Sequence, residues 1–129
     1  MTRAIVVLSA IAACLVATAA QAKGTMRLSA SSSQGCLTRE ARALLNRIES
    51  HFGRVQIVST CRPGARIAGS GKISKHASGQ AIDFNAPSGK KQAVVKWLIA
   101  NHKSAGTMTY AGMSHIHVDI GYHFVSLNS

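Results

Sequence analysis

Ser114-His115-Ile116-His117-Val118-Asp119-Ile120 is the stretch that decides the fold. Successive side chains of a β-strand point to opposite faces. His115, His117 and Asp119 then share one face, and Ile116, Val118 and Ile120 share the other. The apolar face points to a core. The three polar residues opposite it make either a site or a solvated face.

Upstream, Thr107 to Tyr110 reads as a partner strand, joined by a turn at Ala111-Gly112. Ala81-Ile82-Asp83-Phe84 and Val55 to Ser59 read as two more strands. Thr38 can cap a helix running to about His51, and Ala41, Leu44, Leu45, Ile48 and Phe52 repeat at three-four spacing as one buried stripe. Gly53 stops it. Ser88 is placed to cap a second helix, Gly89 to His102, burying Ala93, Val94, Trp97 and Leu98. Helix, strand, loop, strand, helix and hairpin predict a small α+β domain, an antiparallel sheet with helices packed on one side. The loop from Thr60 to Gly79 is long, and loops of that length in compact domains usually carry function.

The chain is 129 residues, which suits one domain. Fifteen Lys and Arg against four Asp and Glu give a net charge of +11. Hydrophobic residues make up 47%, too many for a disordered basic arm. Aromatics are 5%, too few for a stacking platform on single-stranded nucleic acid, and no helix-turn-helix or finger motif is present. Nucleic acid is therefore not the expected partner.

The first residues read as an address. Arg3 precedes an uncharged run from Ala4 to Ala20, and Ala20-Gln21-Ala22 is a small-x-small cleavage signature before Lys23. Residues 1–22 are thus expected to be a secretory signal peptide. A transmembrane anchor is the weaker alternative, because about 17 apolar residues lie at the lower limit for spanning. Lipid anchoring at Cys14 is weaker still, since the apolar run continues past it. A periplasmic or secreted protein with no membrane association after cleavage is expected. Cleavage removes one basic charge, Arg3, and leaves +10.

Residues 23–36 read as a flexible leader and 37–129 as the domain; a monomer is expected. Cys36 and Cys61 remain as an even pair in an exported chain, read as one disulfide. Closing a loop of this size is worth roughly 3 kcal/mol by the chain-entropy model. A two-Cys metal site is the less favoured alternative, since no C-x-x-C is present.

The chemistry concentrates in two clusters, Ser74-Lys75-His76-Ala77-Ser78-Gly79-Gln80-Ala81-Ile82-Asp83 and Ser114 to Asp119. The mature chain has four acids. Glu40 and Glu49 fall on the first helix, and Asp83 and Asp119 both fall inside the histidine clusters. Two imidazoles two apart on one strand face, with a carboxylate from a second strand, suit a zinc ion. Taken singly, each could be an ordinary surface or turn residue; their coincidence in a strongly basic chain favours a site.

The first cluster resembles the Ser-x-His-x-x-Gly-x-Ala-x-Asp motif of the zinc D-alanyl-D-alanine carboxypeptidases and endopeptidases. These enzymes cut bacterial cell-wall peptides and share a fold with the hedgehog signalling domain. Ser74, His76, Gly79, Ala81 and Asp83 all match. Thr60-Cys61-Arg62-Pro63 is similar to the family's arginine segment, and His117-Val118-Asp119-Ile120-Gly121 to its small secreted members. The resemblance spans about residues 37–121.

It implies a hedgehog/DD-peptidase-like fold with Zn2+ held by His76, Asp83 and His117. Three protein ligands leave a fourth position open, as catalytic zinc sites do. Arg62 would stabilise the oxyanion. Many members carry Glu three residues before the last ligand; here Ser114 stands there, and a hydroxyl is no base near neutral pH. His115 takes that role in the family's His-x-His variants, and an imidazole can move a proton in the neutral range. Asp119 is expected to fix a ligand imidazole, and Ser74 to stand with it behind the ligands.

The resemblance thus points to an exported zinc peptidase acting on peptidoglycan stem peptides or cross-links. A +10 protein would concentrate on that polyanionic wall. The alternatives are a zinc-holding, wall-binding module without turnover and, more weakly, a basic exported protein with no metal. His51 and His102 read as helix-closing charges, His123 as exposed, and Phe52 and Trp97 as packing.

Overall fold

Helix α1, Arg39–Phe52, begins where Thr38 Oγ1 accepts a hydrogen bond from the Ala41 amide at 3.2 Å. Glu40 lies in its first turn and His51 in its last, both favourable to the helix dipole. Gly53 ends it at φ 93°, a left-handed value that glycine tolerates. The computed structural model describes residues 33–128. The expected signal peptide and most of the expected leader lie outside the described residues. The last residues of that leader, Gln34–Cys36, form a 3-10 turn capped by Ser33.

Five strands follow: β1 Gln56–Ser59, β2 Ala81–Asn85, β3 Gly106–Thr109, β4 Ile116–Asp119 and β5 Phe124–Leu127. Helix α2, Lys91–Asn101, lies between β2 and β3. The sheet order is β1-β2-β4-β3-β5. Every pairing is antiparallel except β3 with β5, which is parallel. The α+β class and the β3–β4 hairpin are as the sequence predicts. The parallel edge strand β5 is an addition to it.

One sheet face is apolar. Ile82 and Phe84 of β2 and Ile116 and Val118 of β4 are essentially inaccessible and form one core with Leu44, Leu45 and Ile48 of α1 and Val94, Val95 and Leu98 of α2. Burying side chains of this size stabilises by ~1.5–3 kcal/mol each. Both helices therefore cover that face and leave the other for chemistry.

Helix α2 differs in detail from the sequence reading. It starts at Lys91 with Lys90 as a cap that makes no side-chain hydrogen bond, so Ser88 does not cap it. Gly89 takes φ 73°, and the Lys90 amide donates to the Pro87 carbonyl at 2.9 Å. That turn delays the helix. Val95 is buried, Ala93 is exposed and Trp97 is only half-buried. Trp97 packs on His51 (ring centroids 5.3 Å) and Phe52 (5.8 Å), with Arg47 5.5 Å above it.

The disulfide joins Cys36 to Cys61 with Cα atoms 6.2 Å apart. Gly79 lies against this bridge: a Cβ there would stand 2.3 Å from the Cys36 carbonyl oxygen, and its φ is 69°. Gly79→Ala should therefore lower stability by about 2–4 kcal/mol, combining left-handed strain with overpacking against backbone. Thermal melting would check this; an unchanged melting temperature would contradict the close approach.

Candidate metal centre

The polar sheet face is laid out by strand register. Asp83 of β2 is the ladder partner of His117 of β4, and Ala81 is the partner of Asp119. Met108 of β3 pairs with His117 on the other side. The two functional side chains are thus held together by backbone hydrogen bonds rather than by loops. His76 arrives from a 3-10 turn, Lys75–Ser78, directly before β2. Ser74 caps that turn, its Oγ accepting from the His76 amide at 3.2 Å, and Gly79 closes it in the left-handed conformation.

His76, Asp83 and His117 converge, all buried, with ligand atoms within 4.8 Å of one another. His117 Nδ1 lies 2.8 Å from Asp83 Oδ1, His76 Nε2 lies 3.1 Å from Asp83 Oδ2, and the two imidazole nitrogens are 3.3 Å apart. Tetrahedral zinc with bonds of ~2.0–2.1 Å needs ligand-to-ligand edges of roughly 3.3 Å. The donor set, two imidazoles and a carboxylate, is one that zinc takes in catalytic sites.

Outer contacts select the right nitrogens. His76 Nδ1 donates to the Thr60 carbonyl, leaving Nε2 as the free lone pair. His117 Nε2 lies 3.3 Å from Asp119 Oδ2, leaving Nδ1 for the metal. Asp119 is itself fixed, its Oδ1 accepting from the Gly106 amide at 3.0 Å. The residues therefore fit the ion. Asp119→Asn should lower zinc affinity by about 10–100-fold, the usual worth of such a partner, measurable by chelator competition. An unchanged affinity would remove Asp119 from this role.

Charge follows the same geometry. Burial would raise the Asp83 pKa, but hydrogen bonds with His117 and His76 hold its carboxyl well below the usual carboxylate range. Burial would lower His117; its hydrogen bonds to Asp119 and Asp83 outweigh this and push it up to about 9. Asp119 is lowered, burial opposing and the His117 and Gly106 hydrogen bonds prevailing.

A raised imidazole pKa stabilises the metal-free fold fully below the unfolded value near 6.5, and this is lost as pH rises through about 9. The lowered carboxylates stabilise above their unfolded pKa of about 3.9, and this is lost as pH falls. Zinc must displace the His117 proton. The melting temperature with chelator should therefore decline from pH 6.5 to 9, while the gain from added zinc grows over that range. A zinc-induced gain independent of pH would contradict it.

Other residues take the following places. Arg62 stands beside the cluster, a guanidinium nitrogen 4.0 Å from Asp83 Oδ2, with half of its side chain exposed. His115 lies just before β4, half-buried, its ring 5.2 Å from that of Tyr110. Ser114 is exposed and donates to Asn85 Oδ1 at 2.9 Å. His102 closes α2, its amide donating to the Leu98 carbonyl at 2.7 Å; its side chain is buried rather than a solvated charge, with Nε2 3.0 Å from the Asp119 carbonyl. It supports the strand that carries His117. His51 and His123 are exposed.

Two residues were not found in the sequence. Tyr110 follows β3, and its pKa is raised by burial and by the charges of Asp83 and Asp119. Ser59 pairs with Asp83 across β1, and its buried hydroxyl has no hydrogen-bond partner among the described residues. A lone serine or tyrosine leaves no pattern in sequence; the β1–β2 ladder brings Ser59 to Asp83, and the exit of β3 brings Tyr110 near.

Among the described residues, no helix is long and apolar enough to cross a membrane. A comparison with protein-family models matches residues 14–119 to the family described as Peptidase M15. No curated protein and no solved structure matches the chain.

Proposed function

The chain belongs to the M15 peptidase family, and from this we propose that it is an exported zinc-dependent peptidase that hydrolyses peptidoglycan stem peptides or cross-links. It would act as a D-Ala-D-Ala carboxypeptidase or endopeptidase. The observation that carries the reading is the convergence of His76 Nε2, Asp83 and His117 Nδ1, with Arg62 beside them.

His76, Asp83 and His117 would hold zinc, which would supply a Lewis acid and acidify water at the site. The chain's own groups do the rest. Asp119 and the Thr60 carbonyl fix the two imidazoles so that no reorientation is needed on binding. Arg62, half-exposed at the cluster, meets negative charge developing on the scissile carbonyl oxygen. His115 accepts and returns the proton that an attacking water loses. The +10 charge of the mature chain favours a polyanionic wall and stem carboxylates.

A second reading has one observation in its favour. Ser114 occupies the position where related enzymes place Glu, and it is committed to Asn85. A module that holds zinc and binds wall without turnover would look the same there. Incubation of the zinc-loaded protein with muropeptides, followed by mass spectrometry, separates the two. Loss of D-Ala or opening of a cross-link supports the peptidase; binding without product supports the module.

A further inference from the structure

The segment around Cys61 grips the His76 ligand from both sides. Thr60 accepts from the His76 ring at Nδ1. Two residues on, the Arg62 amide donates to the His76 carbonyl at 2.9 Å. The segment around Cys36 grips the other end of the same turn. The Thr38 amide donates to the Gly79 carbonyl at 2.9 Å, and Gly79 leaves no room for a Cβ against the Cys36 carbonyl or, at 3.3 Å, Cys61 Sγ. Thr60 Oγ1 also donates to the Ser33 carbonyl at 2.7 Å. The disulfide is the covalent link between these two grips.

We propose that the Cys36–Cys61 disulfide positions His76 as a metal ligand, so that full zinc affinity requires the bond to be closed. Three features make the segment dependent on such a tie. β1 ends at Ser59, its pairing with β2 is irregular between Ile57 and Ser59, and the chain after Arg62 is a long exposed loop. Opening the bond frees Thr60 and Arg62 to move together, and His76 loses the partner that sets its tautomer. Asp83 and His117 are cross-strand partners and keep their places. The loss is therefore confined to one ligand of three. The inference rests on the zinc reading above.

The test compares zinc dissociation constants, by chelator competition, for the full chain, the double variant Cys36→Ala/Cys61→Ala, and Val94→Ala as a core variant away from the site. Melting temperatures with chelator are recorded for each. We expect the double variant to lose about 10–100-fold in affinity, as loss of an imidazole-orienting contact does. The Co2+-substituted protein should show altered visible bands. Val94→Ala should lose stability and keep its affinity.

A folded double variant with wild-type affinity overturns the inference, as does an equal affinity loss in Val94→Ala. Should the double variant fail to fold, the wild-type disulfide is brought to equilibrium in graded glutathione redox buffers. Two glutathione thiols are oxidised to their disulfide as Cys36 and Cys61 become thiols. The equilibrium constant for reduction should be about 10–100-fold smaller for zinc-loaded than for zinc-free protein, because a bond that raises zinc affinity by that factor is stabilised by zinc to the same extent. Equal constants overturn the inference. A wild type that holds no zinc fails differently, because it removes the zinc reading itself.

Discussion

His117→Ala should neither hold zinc nor hydrolyse any wall peptide. The substitution removes one of the three converging side chains proposed to hold zinc and leaves the Asp83 carboxylate buried beside the gap. Zinc affinity in small protein sites amounts to about 10–16 kcal/mol, so losing a third of the ligands should weaken binding on the order of 10³-fold or more. Turnover should fall below detection. His76→Ala and Asp83→Ala should behave alike. Metal analysis of the purified variants, with melting curves to show that each is folded, tests this. Full zinc retained in a folded His117→Ala would remove the ligand assignment.

His115→Ala should separate binding from chemistry. His115 sits two residues before His117, a separation of about 6–7 Å along a strand. Its ring lies 5.2 Å from that of Tyr110, and the hydrogen bonds that join His76, Asp83 and His117 among the described residues do not include it. Zinc content should therefore stay at the wild-type level. Hydrolysis should drop by roughly 10²–10⁴-fold, the usual worth of a positioned acid–base group. If the variant loses the metal, His115 is a ligand. If its turnover is unchanged, another group handles the proton. Ser114→Ala offers a contrast: its hydroxyl points its hydrogen bond at Asn85, so its loss should change turnover little.

Much of the site was legible because it lies on regular structure. The alternation from His115 to Ile120 shows a period of two, and the helix α1 stripe a period near 3.6. Such periods survive in sequence because one face must be buried. The strand β5 left no such mark. Phe124, Val125 and Leu127 are all substantially exposed, and it pairs only at the sheet edge. Its placement depends on Gly106, where the Phe124 ring occupies the space a Cβ would fill. The start of α2 was misplaced because a left-handed Gly89 competes with Ser88 as a boundary. The place of His102 at the end of α2 is legible, but the burial of its ring is not, because its partner is the Asp119 backbone, seventeen residues away and invisible to any local pattern.

The ladder pairing of Asp83 with His117 also bears on how this chain can change. Between them the chain finishes β2, passes through α2, adds β3 on the far side of β4 and then enters β4. The separation of Asp83 and His117 is set by the distance between neighbouring strands, whatever the length of the chain that connects them. Insertions in the segments that flank α2, or in the turn between β3 and β4, would change the surroundings of Asp83 and His117 and leave their spacing intact.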